Sequence, residues 1–282
     1  MRIHHLNCGS FCPLGGRLFD GRSDSPRAHL VCHCLLIETA DSLVLVDTGY
    51  GMRDVRYPGD RLAPFFRMLN DPQLRPEQTA IEQVRALGFS PRDVRHIVLT
   101  HLDFDHAGGL EDFPHARVHV SAIERDDAQA RNGGSFIGRR RYRPVQWDEG
   151  VDFATYPQAR GDAWFGFDAV RDLQGLGADI LLVPLAGHSA GHCGVAVRDG
   201  GGWLLHAGDA YFHRGEVGGD VRECSPGLRG YQRLLEVDRG QRVANQARLR
   251  ALARDRDGDV RLFCAHDPVE FEMLCAYRRE GC

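Results

Sequence analysis

Four short apolar runs in this chain each end on residues able to ligate a metal. That pattern favours a fold whose strands deliver side chains from their carboxyl ends to a common point. His96-Ile-Val-Leu99 leads into Thr100–Leu110, THLDFDHAGGL, which sets His101, Asp103, Asp105 and His106 within six residues. Asp179–Leu185 ends in Ala186–His192, presenting His188 at a glycine-flanked turn. Gly202–Ala207 ends in Gly208-Asp209, and Val260–Ala265 ends in His266-Asp267.

One donor from each later segment, added to the first loop, makes seven: His101, Asp103, Asp105, His106, His188, Asp209 and His266. In an extended segment residues 101, 103 and 105 project to one side and 106 to the other, so one loop could feed two adjacent ions. Nitrogen and oxygen donors without cysteine suit zinc, manganese, iron or cobalt. A single acidic loop could instead be solvated, or use Asp105 as a helix N-cap. That alternative weakens when three more strand ends carry the same residue types.

With these segments in this order the chain resembles the metallo-β-lactamase superfamily, whose pattern is HxHxDH, a GH turn, a GD and a late histidine. Leu43–Gly49, LVLVDTG, resembles its early strand and DTG turn, so the likeness covers nearly the whole chain. Ala265–Glu272, AHDPVEFE, and Asp209–Tyr211, DAY, look most like the N-acyl homoserine lactonase branch. The resemblance implies an α/β fold, an αββα sandwich of two mainly mixed sheets flanked by helices. It also implies two divalent metal ions, zinc first. His101, Asp103 and His188 would hold one ion, Asp105, His106 and His266 the other, with Asp209 bridging.

The chain departs from the pattern at Asp103, where the superfamily has a second histidine. As a direct ligand, this carboxylate adds negative charge and favours manganese or iron relative to zinc. In the alternative, Asp103 orients a ligand histidine without touching the ion.

The implied chemistry is hydrolysis by a metal-bound hydroxide, with Asp105 accepting a proton. Tyr211 is a candidate oxyanion donor, although the lactonase tyrosine stands one position later relative to the aspartate; a packed core tyrosine is the competing reading. A lactone or related ester is the expected substrate. The alternatives are a phosphoester or thioester hydrolase, a mononuclear iron oxygenase of the persulfide dioxygenase kind using His101, His188 and Asp209, and a degenerate-site binding protein.

Other residues carry plainer readings. His192 is expected beside the site or in packing, and His33, His119, His206 and His213 as hydrogen-bonded core or surface residues. Asp47 is expected to fix its own turn through nearby backbone amides. Ala107-Gly108-Gly109 is expected to open a helix, or else to permit close packing. All 35 basic residues are arginine, and the one dense cluster, Arg139–Arg143, reads as a solvated loop ahead of an anion-binding patch.

A net charge of -4 gives no electrostatic case for nucleic acid. No apolar stretch is long enough to span a membrane. Met1–Leu6 runs into a first strand without the apolar core of a signal peptide, and nine scattered cysteines show no paired spacing, so a cytoplasmic protein is expected.

Because the donors run from residue 101 to 266, residues 1–282 are read as a single domain. Strands are expected near 29–37, 42–47 and 117–121, and helices over 77–87, from about 122, and over 243–254. Segments 50–76 and 132–177 read as irregular pocket walls whose aromatics suit a small-molecule substrate with an apolar acyl or ring portion. Leu30–Ile37 or an exposed loop could support a homodimer.

Overall fold

Side-chain alternation along the strands sorts the apolar residues of this chain into three layers of core. The computed structural model describes residues 1–132, 134–147, 150–157, 161–169 and 173–280. Strands β1 (Arg2–Phe11), β2 (Leu30–Glu38), β3 (Leu43–Val46), β4 (Pro72–Gln73), β5 (Val94–Val98), β6 (Arg117–Ser121) and β7 (Asp152–Tyr156) form one sheet in the order β4-β1-β2-β3-β5-β6-β7. Its first strands pair antiparallel, while β3, β5, β6 and β7 run parallel.

A hairpin, β8 (Asp162–Trp164) and β9 (Phe167–Ala169), precedes the second sheet. That sheet contains β10 (Ile180–Pro184), β11 (Cys193–Asp199), β12 (Gly202–His206) and β13 (Val260–Phe263) in sequence order, with only β12 and β13 parallel.

Alternate residues of β2 show the layering. Leu35 and Ile37 pack with Ile180, Leu182, Val195 and Phe263 between the sheets. Cys34 and Leu36 face outward, into a cluster with Val84 of the helix Ala80–Ala86. Beyond the second sheet, Leu181, Val183 and Leu205 meet Leu249 and Leu252 of the helix Arg239–Asp255. The result is helix, mixed sheet, mixed sheet, helix, the αββα sandwich expected from the resemblance.

The structure corrects several local expectations. The helix read over 77–87 forms only from Ala80 to Ala86, because Pro76–Gln78 takes a 3-10 turn and Thr79 is extended. The helix read over 243–254 starts earlier, at Arg239, where the Asp238 side chain accepts from Gln241 N. Segment 132–177 holds β7, β8, β9 and a short helix, Gly138–Arg141, although residues 133, 148, 149, 158–160 and 170–172 lie outside the described residues.

Ala107–Gly109 opens no α-helix, only the 3-10 turn Leu110–Asp112. Its glycines serve close packing instead: a Cβ on Gly108 would stand 2.3 Å from Asp54 Oδ2. Leu30–Ile37 is an interior strand with every residue buried, so it is not a subunit contact. Among the described residues, no helix is long and apolar enough to cross a membrane.

Candidate metal centre

The ends of β5, β10, β12 and β13 meet at one edge of the sandwich, and backbone hydrogen bonds tie their loops together. Cys193 N donates to Thr100 O (2.9 Å), Ala265 N to Gly208 O (3.0 Å), His33 N to Ala265 O (2.9 Å) and Thr48 N to His106 O (2.8 Å). After β5 the chain is not extended as far as residue 105: it turns, with His106 N and Ala107 N both donating to Asp103 O at 3.0 Å. Leu102 and Phe104 thereby enter core clusters while His101, Asp103, Asp105 and His106 face inward. All seven expected donors are buried at this edge.

They form two groups. In one, atoms of His106, Asp209 and His266 lie within 4.8 Å of one another. His266 Nε2 is 3.0 Å and His106 Nε2 3.4 Å from Asp209 Oδ1, and Asp105 Oδ2 is 3.8 Å from His266 Nε2. Each imidazole is oriented from behind. His106 Nδ1 is 2.8 Å from Asp47 Oδ2, and His266 Nδ1 donates to Val31 O at 2.7 Å. Their Nε2 atoms therefore turn toward Asp209, as a metal ligand requires. His106 Nε2 and Asp209 Oδ1 are buried without a hydrogen-bond partner, and an ion would satisfy both. This group fits a divalent cation. Cys32, whose role the sequence did not suggest, joins Asp105 and His266 in an overlapping cluster.

The other group is His101, Asp103, His188 and Asp209. Here a buried arginine is already in place. Arg141, at the end of the helix Gly138–Arg141, donates from Nε to Asp103 Oδ1 and from Nη2 to Asp103 Oδ2, both at 2.6 Å. Nη2 also donates to His188 Nε2 at 2.7 Å, and Nη1 to Leu235 O at 2.7 Å and His188 O at 3.3 Å. The solvated reading of Arg139–Arg143 therefore fails at Arg141: it binds an anion, and that anion is the protein's own Asp103. A side-chain pair this close and dry depends on full hydrogen bonding to offset desolvation.

The charges follow. Burial opposes ionisation of Asp103, but Arg141 and then His101 hold its carboxyl well below the usual range. Burial likewise opposes the charge on Asp209, and His266, His106 and His188 overcome it. Asp105 is pushed up by burial and by repulsion from Asp209 and Asp103, against the pull of His106 and His266. His106 resists burial and is raised well above its usual value by Asp209 and Asp47, so a cation binding there displaces a proton.

Supporting residues lie outside the expected set. Asp47 does more than fix its turn: Oδ1 accepts from Thr100 N and Oδ2 from Thr100 Oγ1, each at 2.8 Å, while Oδ2 also meets His106. Glu124 accepts from Leu102 N (3.0 Å), Ser189 Oγ (2.6 Å) and Gly191 N (3.2 Å), joining the loops that carry Asp103 and His188. His192 Nε2 accepts from Asp209 N at 2.9 Å, beside the site rather than in it.

Tyr211 is not brought to the donors. Its phenol donates to Glu270 at 3.0 Å and its ring packs in the outer core. The next residue, Phe212, faces the cavity, and the phenol lining it is that of Tyr231, which donates to Asn70 Oδ1 at 3.1 Å. The cavity is closed down to about 10 Å³ by Phe66, Phe104, Phe212, Tyr231 and Leu235 above Asp103, Asp105, Asp209 and His266. Of the expected walls, segment 50–76 contributes Phe66 and segment 132–177 contributes Arg141, while Trp147, Trp164 and Phe167 are core residues.

The family model described as the metallo-beta-lactamase superfamily matches residues 28–266. The chain belongs to that superfamily. As a member it is 41% identical over 273 residues to a probable metallo-hydrolase of Mycobacterium tuberculosis, covering 97% of this chain and 82% of the relative. It is 30% identical over 131 residues to an N-acyl homoserine lactonase of Rhizobium radiobacter, 45% of this chain and 44% of the relative. Among solved metallo-β-lactamase-type folds it is similar to an N-acyl homoserine lactone hydrolase with N-hexanoyl-L-homoserine bound at its catalytic metal centre. That pair has a TM-score of 0.71 and 20% identity, covering 96% of this chain and 95% of that one. The chain is thus a metallo-hydrolase of this superfamily with lactonase-like neighbours.

Proposed function

We propose that this metallo-hydrolase opens a lactone or a closely related ester carrying an apolar acyl or ring portion. The observation that carries the reading is the group His106, Asp209 and His266, with both Nε2 atoms turned toward a shared carboxylate. A divalent ion held there, zinc first, would acidify a coordinated water and polarise a carbonyl oxygen. Asp105, pushed up in pKa mainly by burial, is suited to take up and return the proton. The apolar side chains of Phe66, Phe104, Phe212 and Leu235 exclude water and would meet the acyl or ring portion. Because they leave room for only about one water, substrate entry requires them to move apart.

The phenol of Tyr231 lines this cavity and would serve as a neutral donor to a developing oxyanion on leaving Asn70. Burial and the neighbouring carboxylates keep it protonated. The reading includes a reducing, cytoplasmic compartment, supported by Cys8, Cys12, Cys32, Cys34, Cys224 and Cys264, which are free thiols.

The test is a substrate panel of N-acyl homoserine lactones, simple γ-lactones, aryl esters, thioesters and phosphotriesters. Each is followed with metal-loaded protein and after chelation. Chelator-sensitive lactone opening is the expected result; turnover that survives complete metal removal would refute the reading.

A further inference from the structure

We propose that the guanidinium of Arg141 stands where the sequence pattern would put a first ion, so that this chain holds a single metal ion at His106, Asp209 and His266, with Asp105 beside them. The inference rests on the metal-dependent reading of the site and refines it.

The argument starts from the hydrogen-bond capacity of the side chain. A guanidinium has five N–H donors and no acceptor. In Arg141 all of them have acceptors: two go to Asp103, one to His188 Nε2, and the Nη1 pair to the carbonyls of Leu235 and His188. The two carbonyls fix the guanidinium independently of Asp103, so the group is seated rather than swept in by attraction.

Its position is also set through the backbone. Asp103 and Tyr142 form an antiparallel bridge, and Phe104 N donates to Arg141 O at 3.2 Å. Asp103 and the residue that follows Arg141 are thus joined backbone to backbone.

The consequence falls on the donors. Because Nη2 can only donate, the His188 Nε2 atom it meets must accept, and the lone pair that would ligate an ion is engaged. Both Asp103 oxygens are engaged in the fork. Of the ring nitrogens that face Asp103 and Asp209, only His101 Nε2 is without a hydrogen-bond partner; the other unpartnered nitrogen, His188 Nδ1, is not the one turned to these carboxylates. One unclaimed nitrogen and a share of Asp209 fall short of the three or four protein ligands such ions take. The second group shows the opposite condition: among the described residues no arginine is hydrogen-bonded or ion-paired to it, and two of its donor atoms, His106 Nε2 and Asp209 Oδ1, are unpaired.

The exchange also balances charge. Aspartate in place of the family's histidine adds one negative charge, and the arginine supplies one positive charge beside it. A divalent ion at the same place would have to displace a fully hydrogen-bonded cation from a dry site.

The experiment is metal stoichiometry on the full chain. The protein is stripped, reloaded separately with excess zinc and manganese chlorides, desalted and measured by inductively coupled plasma mass spectrometry. Crystals of the loaded protein are then examined for anomalous scattering at the metal edge. The expected result is about one ion per chain, lying among His106, Asp209 and His266. The manganese form should show an uncoupled mononuclear paramagnetic resonance signal.

The double variant Asp103→His/Arg141→Met should take up a second ion, a twofold rise in content. Should that variant not fold, the wild-type measurement decides alone. Two ions in the wild type, or one lying between His101 and His188, would overturn the inference and leave the hydrolase reading standing. No retained metal after reloading would overturn both.

Discussion

Asp47→Asn tests whether the orientation of His106 determines metal binding. Asp47 receives Thr100 N, Thr100 Oγ1 and His106 Nδ1, all at 2.8 Å. An amide has one acceptor oxygen and cannot serve both Thr100 N and His106. The buried backbone N–H has no alternative partner and would be costly to strand, whereas an imidazole can move its proton. The amide oxygen should therefore stay with Thr100, and the amide N–H₂ should face His106 Nδ1, which then has to accept. The His106 proton moves to Nε2, the atom facing Asp209.

Losing such an orienting partner weakens metal affinity by about 10–100-fold. The assay is competition with a chromogenic chelator at fixed pH. A second readout comes from stability of the metal-free protein. Burial works to raise the Asp47 carboxyl, yet His106 beside it lowers it to about 2. A depressed carboxyl stabilises the fold above its unfolded pKa near 4 and loses that contribution as pH falls toward about 2. The shift of just under two units corresponds to about 2 kcal/mol. Urea titrations of the stripped protein at pH 7 and in that acid window should show the wild-type contribution fading and the variant lacking it. Unchanged metal affinity in Asp47→Asn would refute the tautomer argument.

Three further outcomes are expected. Tyr231→Phe should lower kcat on a lactone by about 10-fold or more with little change in KM, while Tyr211→Phe leaves kcat within about twofold; the reverse order in steady-state kinetics would restore Tyr211 as the oxyanion donor. Glu124→Gln replaces one accepting oxygen with a donor facing buried N–H or O–H groups, and denaturant unfolding should show a loss of about 1–3 kcal/mol. Phe66→Ala should widen the closed cavity and lower KM for long-chain relative to short-chain acyl lactones; an unchanged ratio would mean that the acyl chain lies elsewhere.

The candidate donors are legible in the sequence because each ends or follows an apolar strand, and strand ends on one edge of a sandwich must meet. The residues that orient them are harder to read. Ser121-Ala-Ile-Glu124 has the S-x-x-E spacing of a capping box, yet Ser121 Oγ has no partner and Glu124 reaches across to two loops. Asp47 lies 59 residues from the histidine it holds. Arg141 is one of five consecutive charged or aromatic residues, Arg139 to Arg143, and nothing local says which side chain turns inward. Tyr211 misleads by one position, enough to turn its side chain away and leave Phe212 facing the cavity. Among the larger elements, β7 is missed because its alternation is short and lies within a glycine-rich stretch.

The last prediction concerns the pairing of Asp103 with Arg141, which are 38 residues apart and both buried. Removing either alone leaves the other as an uncompensated charge in a dry site, typically a loss of about 3–5 kcal/mol. Removing both, as in Asp103→Asn/Arg141→Met, strands neither charge. The methionine keeps much of the aliphatic volume, although the carbonyls of Leu235 and His188 lose their donor. The double variant should therefore be less destabilised than the sum of the single ones, by roughly 1–3 kcal/mol of coupling. Urea unfolding in the presence of chelator measures all four proteins without metal contributing to any of them. If the guanidinium neutralises Asp103, the cycle is strongly non-additive. Losses that add to within about 0.5 kcal/mol would mean that Asp103 is stabilised by its histidines alone, and the reason for an arginine at this place would be gone.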